Sequence, residues 1–568
     1  MTNNQIDFEV IVVGSGISGG WAAKELTEKG VKTLLLERGR HVEHGADYIG
    51  EDKDPWELKF RDDVDRKLAN QRHPIQKKCY AFKDSTKHFF ADDIDHPYSQ
   101  EEGNDFDWIR GHHLGGRSLL WHRQSYRLSE MDFNSNKRDG HGVDWPVRYD
   151  DLKGWYDHVE EFVGVSGTNE GLAQLPDGKF LPPIGFNCAE EEFKKRLESK
   201  YDDRVMIPGR CAHLTDPQPI HTQFGRGTCQ SRNQCQRGCS LGAYFSSQAA
   251  TLPAANRTGN LTTITDAIVH SIIYDPKTKK ATGVRVIDQN TNQKREYFAR
   301  VIFLCASTLG STQIMLNSTS EHFKNGFANS SDALGRYLMD HLCQTGATGE
   351  MPGLLDKYYV GRKPNGIYIP RFKNLIEDTE DYVRGYGYQG NAKRESWKQR
   401  IGEKGFGADY KESFQTPGPW VFDFEGFGEM LPRADNRVSL HKTKKDQWGM
   451  AQIHIDCSYG DNDWKMRKAM MNSAVNMMKT AGLINVKGYS NDVNPGIGIH
   501  EMGTARMGRD PKTSVLNKHN QCHDVDNVFV TDGSAMASSG CQNPSLTYMA
   551  LTARAVDYVV GQMKANIL

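Results

Sequence analysis

Phe8-Glu9-Val10-Ile11-Val12-Val13-Gly14-Ser15-Gly16-Ile17-Ser18-Gly19 runs a short apolar segment into a glycine-rich turn, and Val31 to Glu37 is a second apolar segment that ends on a carboxylate. The first segment predicts a strand, Gly20 to Lys29 a helix that stops near Gly30, and Val31 to Glu37 a second strand. In this βαβ setting the pattern G-x-G-x-x-G is a dinucleotide fingerprint. Gly14 permits the tight turn, Gly16 lets the backbone approach a pyrophosphate, and Gly19 allows close helix packing. The helix N-terminus presents free N–H groups to the phosphates. Glu37 is placed to accept hydrogen bonds from ribose hydroxyls. The fingerprint alone does not separate flavin from nicotinamide dinucleotides.

A chain of 568 residues exceeds one compact core, so two units or one elaborated domain are expected. The balance of 71 basic against 72 acidic residues gives no global field to attract nucleic acid or an anionic membrane. No run of eighteen apolar residues occurs, and the polar opening Met1 to Asp7 lacks a secretory pattern, so no span and no export signal are expected. The total of 11 cysteines is odd and the residues are scattered, apart from Cys229, Cys235 and Cys239, which argues against a disulfide framework.

Further along, Leu261 to Thr265, Ala267 to Tyr274, Thr282 to Asp288 and Tyr297 to Leu304 read as strands of a meander inserted in the nucleotide fold. Residues 320–490 carry many aromatics between turn residues, and alternation at Arg437 to His441 and Gln452 to Ile455 suggests an antiparallel sheet there. Lys465 to Thr480 is Met-rich with helical spacing, which indicates core packing rather than cofactor chemistry. Lys393 to Glu412 reads as a solvated loop, with a lid as the alternative.

Three C-terminal motifs choose between the dinucleotides. His500-Glu501-Met502-Gly503-Thr504-Ala505-Arg506-Met507-Gly508, Asn527-Val528-Phe529-Val530-Thr531-Asp532-Gly533-Ser534 and Asn543-Pro544-Ser545-Leu546-Thr547 together resemble the end of glucose-methanol-choline (GMC) oxidoreductases. The likeness covers nearly the whole chain. Gly115-Gly116-Arg117-Ser118-Leu119-Leu120-Trp121 resembles the family's segment beside the flavin ring, and Trp145-Pro146 its Trp-Pro element. Val301 to Leu316, with Ala306, resembles the strand that returns to the FAD site, and Gly335-Arg336 with Asp340-His341 the entry to the substrate domain.

The resemblance implies an α/β fold: a Rossmann-like FAD-binding domain at 1–45, 90–319 and 491–568, and a mainly antiparallel substrate-binding domain with insertions at 46–89 and 320–490. It also implies an FAD site on Gly14, Gly16, Ser18, Gly19, Glu37, Arg38, Gly115, Gly116, Ser118, Val269, Ala306, Asp532, Gly533, Pro544 and Ser545. Some pyranose oxidases link FAD covalently through a histidine where this chain has Leu120, so non-covalent FAD is expected.

Alcohol oxidation removes a hydroxyl proton and a hydride from one carbon centre, which calls for a base near neutrality and an electron-poor acceptor. By resemblance His500 is the base, flavin N5 receives the hydride, and Asn543 orients the hydroxyl. Among 20 histidines a structural role is the default, and His112, His113, His122 and His341 carry no motif that lifts them from it.

Three thiols within Cys229 to Cys239 can ligate one metal centre. Their spacing resembles the 3Fe-4S segment in catalytic subunits of bacterial FAD-dependent glucose and fructose dehydrogenases. Zinc is the rival if Cys211 or His213 supplies a fourth ligand, and plain buried cysteines are the other alternative. A cluster would pass flavin electrons outward singly, which favours a dehydrogenase over an oxygen-consuming oxidase. The leading reading is a sugar or glycoside dehydrogenase acting on a ring secondary alcohol such as C3 of a glucoside. The same resemblance implies a small signal-bearing subunit, a cytochrome c-type subunit, and a place on the periplasmic side of the inner membrane, with cytoplasmic residence as the alternative. The competing readings are a pyranose-oxidase-like enzyme that uses oxygen and a non-catalytic FAD-bound subunit.

Overall fold

The computed structural model describes residues 8–54, 56–232, 234–358, 365–396, 405–415 and 417–568. Strand β1 (Phe8–Val13), helix α1 (Ile17–Glu28) and strand β2 (Thr33–Leu36) form the expected N-terminal unit. Val10 lies between Thr33 and Val301 in a parallel ladder, with the strand Leu261–Ile264 (β3) beyond β2. β1 and β2 are covered on both faces, which is why they read as continuous apolar runs. Trp21, Ala22, Ala23 and Leu26 of α1 are fully buried against them.

The meander is shorter than the sequence suggests. Leu261–Ile264 joins the parallel sheet, and only Ala267–Asp275 (β4), Lys280–Asp288 (β5) and Lys294–Leu304 (β6) form antiparallel hairpins. β6 does both jobs: Phe298 pairs antiparallel with Gly283, while Ala299 onward runs parallel to β1. The chain then enters helix α2 (Thr308–Asn317).

A second, antiparallel sheet holds Thr345–Met351 (β7), Tyr386–Arg394 (β8), Trp420–Glu429 (β9) and Ile484–Ser490 (β10). Its edge takes Ile207–Pro208, and its core takes the helix Cys188–Glu198, from well outside 320–490. Along β9 the side chains alternate: Phe422 and Phe424 are fully buried in that core, while Asp423 and Glu425 face the other way. Helix α3 (Asp461–Thr480) covers the apolar face with Met466, Met470, Met477 and Met478 fully buried, so the Met-rich segment is core.

Arg437–Lys445 and Ala451–Asp456 pair antiparallel as their alternation indicates, but in a separate three-stranded sheet with Ser99–Gln100. The loop read at 393–412 is in part outside the described residues; where described, it contains the end of β8 and the start of a short helix, Ala408–Ser413. The strand Val528–Val530 (β11) extends the first sheet beside β6, and helix α4 (Ser545–Lys564) closes the chain against α1. Among the described residues no helix is long and apolar enough to cross a membrane.

Candidate active site

A cavity of about 1150 Å³ extends from the fingerprint turn to the polar face of the antiparallel sheet. At the fingerprint, each glycine has a distinct steric reason. A Cβ on Gly14 would stand 2.5 Å from the Cys305 carbonyl oxygen, at a φ of +92° that favours glycine, and one on Gly19 would stand 1.8 Å from the Gly14 oxygen. Gly16 has no such neighbour closer than 4.0 Å and lines the open cavity, which is the space a pyrophosphate requires.

Three helix N-termini reach this cavity, at Ser18, at Ser307–Thr308 and at Pro544–Ser545, and none of the three helices has an acidic residue in its first turn. Their exposed N–H groups and positive dipole ends suit an anionic ligand. Arg38 lines the same cavity beside Val269; its Nε has no hydrogen-bond partner among the described residues. Burial and neighbouring Arg110 push the guanidinium down to about 10. A half-buried guanidinium with an unpartnered Nε beside a cavity suits a polar or anionic ligand. These features fit an FAD cradle.

Of the expected cofactor residues, Gly14, Gly16, Ser18, Glu37, Arg38, Gly116, Ser118, Val269, Ala306, Asp532, Gly533, Pro544 and Ser545 all line the cavity. Gly19 and Gly115 stand behind the lining. Gly115 donates its N–H to Ser15 Oγ at 2.8 Å, and Ser15 in turn donates both its N–H and its hydroxyl to Glu37 Oε2, at 3.1 and 2.5 Å. Glu37 Oε1 accepts from Gly39 N at 2.9 Å. Glu37 thus braces the turn while lining the cavity, and its remaining lone pairs stay available. Asp532 likewise accepts from Ser534 and Ser311, which fixes Gly533 beside the cavity.

At the other end, His500 and Asn543 meet: Asn543 Nδ2 lies 3.3 Å from His500 Nε2, and Asn543 Oδ1 accepts from Gln389 Nε2 at 2.6 Å. Behind His500 stands His341, with Nδ1 to Nδ1 at 2.8 Å, and His341 Nε2 is 2.8 Å from the Gly540 carbonyl. A carbonyl only accepts, so His341 Nε2 carries a hydrogen. Burial pushes His341 down to about 4, so the ring is neutral at pH 7 and its Nδ1 is bare. The hydrogen between the two rings therefore sits on His500 Nδ1. That leaves the lone pair on His500 Nε2, where Asn543 donates to it.

Burial, His341 and Arg117 hold His500 well below the usual histidine range, so it is neutral at pH 7. Asp340 anchors its backbone, accepting from the N–H groups of Gly496, Gly498 and His500 at 2.8 to 3.0 Å. Arg117 forms a two-pronged pair with Glu501, at 3.0 and 2.7 Å, beside His500.

Family models of the GMC oxidoreductases match this chain at residues 209–343 and 432–552, the second covering the segment that carries His500 and Asn543. This chain is a GMC oxidoreductase. It is 26% identical to a 2-methyl-1,2-propanediol dehydrogenase of Mycolicibacterium austroafricanum, over 98% of this chain and 96% of that one. It is 25% identical to a fructose dehydrogenase large subunit of Gluconobacter japonicus, over 99% of this chain and 100% of that one. Among solved structures, pyridoxine 4-oxidase from Mesorbium loti shares its fold, with a TM-score of 0.60, 15% identity, and coverage of 98% and 99% of the two chains.

His341 and Gln389 are site residues that the linear motifs of this GMC oxidoreductase do not reveal. The one local sign is Asp340-His341 itself, two titratable groups inside the apolar run Leu338 to Leu342, which need partners if buried. His122 and His112 also line the cavity, and His113 is buried beside it.

Cys229, Cys235 and Cys239 line one small pocket of about 30 Å³ together with His213, whose Nε2 is 3.8 Å from Cys235 Sγ. Yet among the described residues no group of three or more His, Cys, Asp or Glu is placed to hold a metal ion. Close spacing brought the thiols to one pocket without gathering them as a ligand set. The expected 3Fe-4S site is thus not formed in this arrangement.

Proposed function

We propose that this GMC oxidoreductase is an FAD-dependent dehydrogenase that oxidises a secondary ring alcohol of a sugar or glycoside, such as C3 of a glucoside. The observation that carries the reading is the bare Nε2 of His500, held by His341 and flanked by Asn543, in a cavity whose far wall is polar. A relative named for fructose supports a sugar substrate.

FAD would be held by the fingerprint turn, Arg38, Val269, Gly116, Ser118, Asp532, Gly533 and the N-terminus of α4, and would supply the hydride acceptor at N5. His500 Nε2 takes the hydroxyl proton as the carbon gives up its hydride, leaving a carbonyl. Asn543 Nδ2 donates to the substrate oxygen and fixes its direction. The α4 N-terminus places positive potential near the charge that develops there. Anaerobic mixing with sugars bleaches the flavin absorbance, whereas oxygen uptake stays slow; rapid oxygen consumption would support a pyranose-oxidase-like enzyme instead.

The FAD is held without a covalent bond, since Leu120 lines the cavity where a linking histidine would stand. Acid precipitation therefore releases the yellow chromophore into the supernatant. Colour retained in the pellet contradicts this and turns attention to His122.

In the same reading, Cys229, Cys235 and Cys239 would hold a 3Fe-4S cluster, which would supply a one-electron route outward from the flavin. The shared thiol pocket supports this placement. The acceptor is a cytochrome c-type subunit, and a small signal-bearing subunit carries the complex to the periplasmic side of the inner membrane. Protein purified anaerobically contains iron and acid-labile sulfide, and Cys235→Ser keeps flavin reduction by sugar but loses cytochrome reduction. Zinc in place of iron, or unchanged cytochrome-linked turnover, ends the cluster reading and leaves the flavin chemistry standing.

A further inference from the structure

The wall opposite the catalytic pair is built in two rows. On β8, Gln389 and Asn391 are two residues apart and so project from the same face, and both line the cavity. On β9, Glu425 pairs with Gln389 and Asp423 with Asn391. The first row, Gln389 and Glu425, touches the chemistry directly, because Gln389 donates to Asn543. The second row, Asn391 and Asp423, lies two residues further along, about 7 Å away at the rise of an antiparallel strand.

Neither carboxylate is used up by the protein. Glu425 accepts one hydrogen bond, from Gln344 N at 2.8 Å, and Asp423 accepts one from the Tyr489 hydroxyl at 3.0 Å. Among the described residues no lysine or arginine forms an ion pair with either, although Lys393 lines the cavity beside Asp423. Each carboxylate keeps most of its accepting capacity open to the cavity. Burial raises the half-buried Glu425 above the usual carboxylate range, with Asp423 adding to the effect, while Asp423 itself is exposed to solvent. Such groups favour ligands that bring hydrogen-bond donors. Amide side chains next to each carboxylate add donors as well as acceptors, which is what a ring bearing adjacent hydroxyls can satisfy.

We propose that the two rows are two sugar subsites: Gln389 and Glu425 hold the ring being oxidised, and Asn391, Asp423 and Tyr489 hold a second hydroxyl-bearing ring joined to it. The preferred substrate is then a neutral disaccharide or glycoside rather than a free monosaccharide. Glu425 is half-buried and Asp423 exposed, so the first row lies inside the cavity and the second towards solvent, where a neighbour linked to the ring in the first row would emerge along the sheet. The inference rests on the proposed sugar oxidation, and its failure is separable from the failure of that reading.

The test is anaerobic stopped-flow reduction of the FAD-loaded protein by glucose, methyl glucoside, lactose, trehalose and glucosamine, in wild type and in Asp423→Asn, Tyr489→Phe and Glu425→Gln. Wild type shows a higher kcat/KM for the disaccharides than for glucose. Asp423→Asn lowers the disaccharide-to-glucose ratio by about tenfold, through a raised Kd rather than a slower limiting rate, as expected for a lost charged hydrogen bond. Tyr489→Phe moves the ratio in the same direction, while Glu425→Gln weakens both classes of substrate. A ratio unmoved by Asp423→Asn, or equal wild-type use of glucose and disaccharides, overturns the second subsite and leaves sugar oxidation intact. A preference for glucosamine over every neutral sugar also overturns it, because the carboxylates would then be reading charge. If no sugar bleaches the flavin, the parent reading fails instead.

Discussion

His500→Ala slows anaerobic flavin reduction by a sugar by about 10²–10⁴-fold, the usual contribution of a positioned general base, while substrate Kd changes little. The reason is geometric: Nε2 carries the lone pair, and His500 lines the cavity with Asn543 Nδ2 at 3.3 Å from that atom. The variant retains FAD, since the fingerprint turn and Arg38 lie at the other end of the cavity, so bound yellow chromophore serves as the control for folding. Asn543→Ala acts in the same direction with a smaller effect, because it orients the hydroxyl without taking its proton. Near-normal reduction in the His500 variant would move the base elsewhere.

His341 is expected to matter almost as much although it touches neither substrate nor cofactor. His341→Leu removes the acceptor that keeps the hydrogen on His500 Nδ1, and the proton is then free to move to Nε2, the atom that must be bare. The expected loss is about 10²-fold in the limiting reduction rate, comparable to other cases of lost alignment or wrong tautomer. His341→Gln restores much of it, since its amide can donate to the Gly540 carbonyl and accept from His500 at once. A merely structural role would not distinguish the two variants in this way.

The pH profile gives a second readout. His500 is faced by His341, Arg117 and the ring of Phe427, with Asp340 on its backbone and Glu501 bound to Arg117. Burial, His341 and Arg117 all lower its pKa, so the base stays neutral as pH falls through the ordinary histidine range near 6.5, and rate is lost only below it. Of these causes Arg117 is the one that carries a fixed charge, since His341 is itself neutral. The acid limb of the rate profile therefore moves upward in Arg117→Leu; an unmoved limb argues against direct coupling between Arg117 and His500.

Which parts of this site could be read from the chain follows from how each residue finds its partner. The fingerprint is legible because Gly14, Gly16 and Gly19 serve one local turn, and Glu37 sits at the end of the adjacent strand. His500 and Asn543 are legible through the motifs around them. His341 pairs with His500 across 159 residues, and Gln389 with Asn543 across 154, so neither spacing nor periodicity points to them. Alternation along β9 shows that Asp423 and Glu425 share a face but not what that face looks upon. The strands at 437–456 show the same limit: their period is visible, yet their sheet is completed by Ser99 and Gln100, more than 350 residues distant. Cysteine spacing predicts proximity in the 229–239 loop, while ligation depends on side-chain directions that spacing does not encode.

The most direct measurement is the rate at which a sugar bleaches the flavin of wild-type protein without oxygen, compared with the same sugar carrying deuterium at the carbon to be oxidised. If His500 takes the hydroxyl proton while that carbon releases a hydride, bleaching follows a saturable dependence on sugar and slows several-fold with deuterium, and the product is the corresponding keto sugar. If FAD-loaded protein is bleached by no sugar or glycoside, or is bleached at the same rate by both isotopic forms with no carbonyl product, the account of this site as an alcohol-oxidising centre is contradicted.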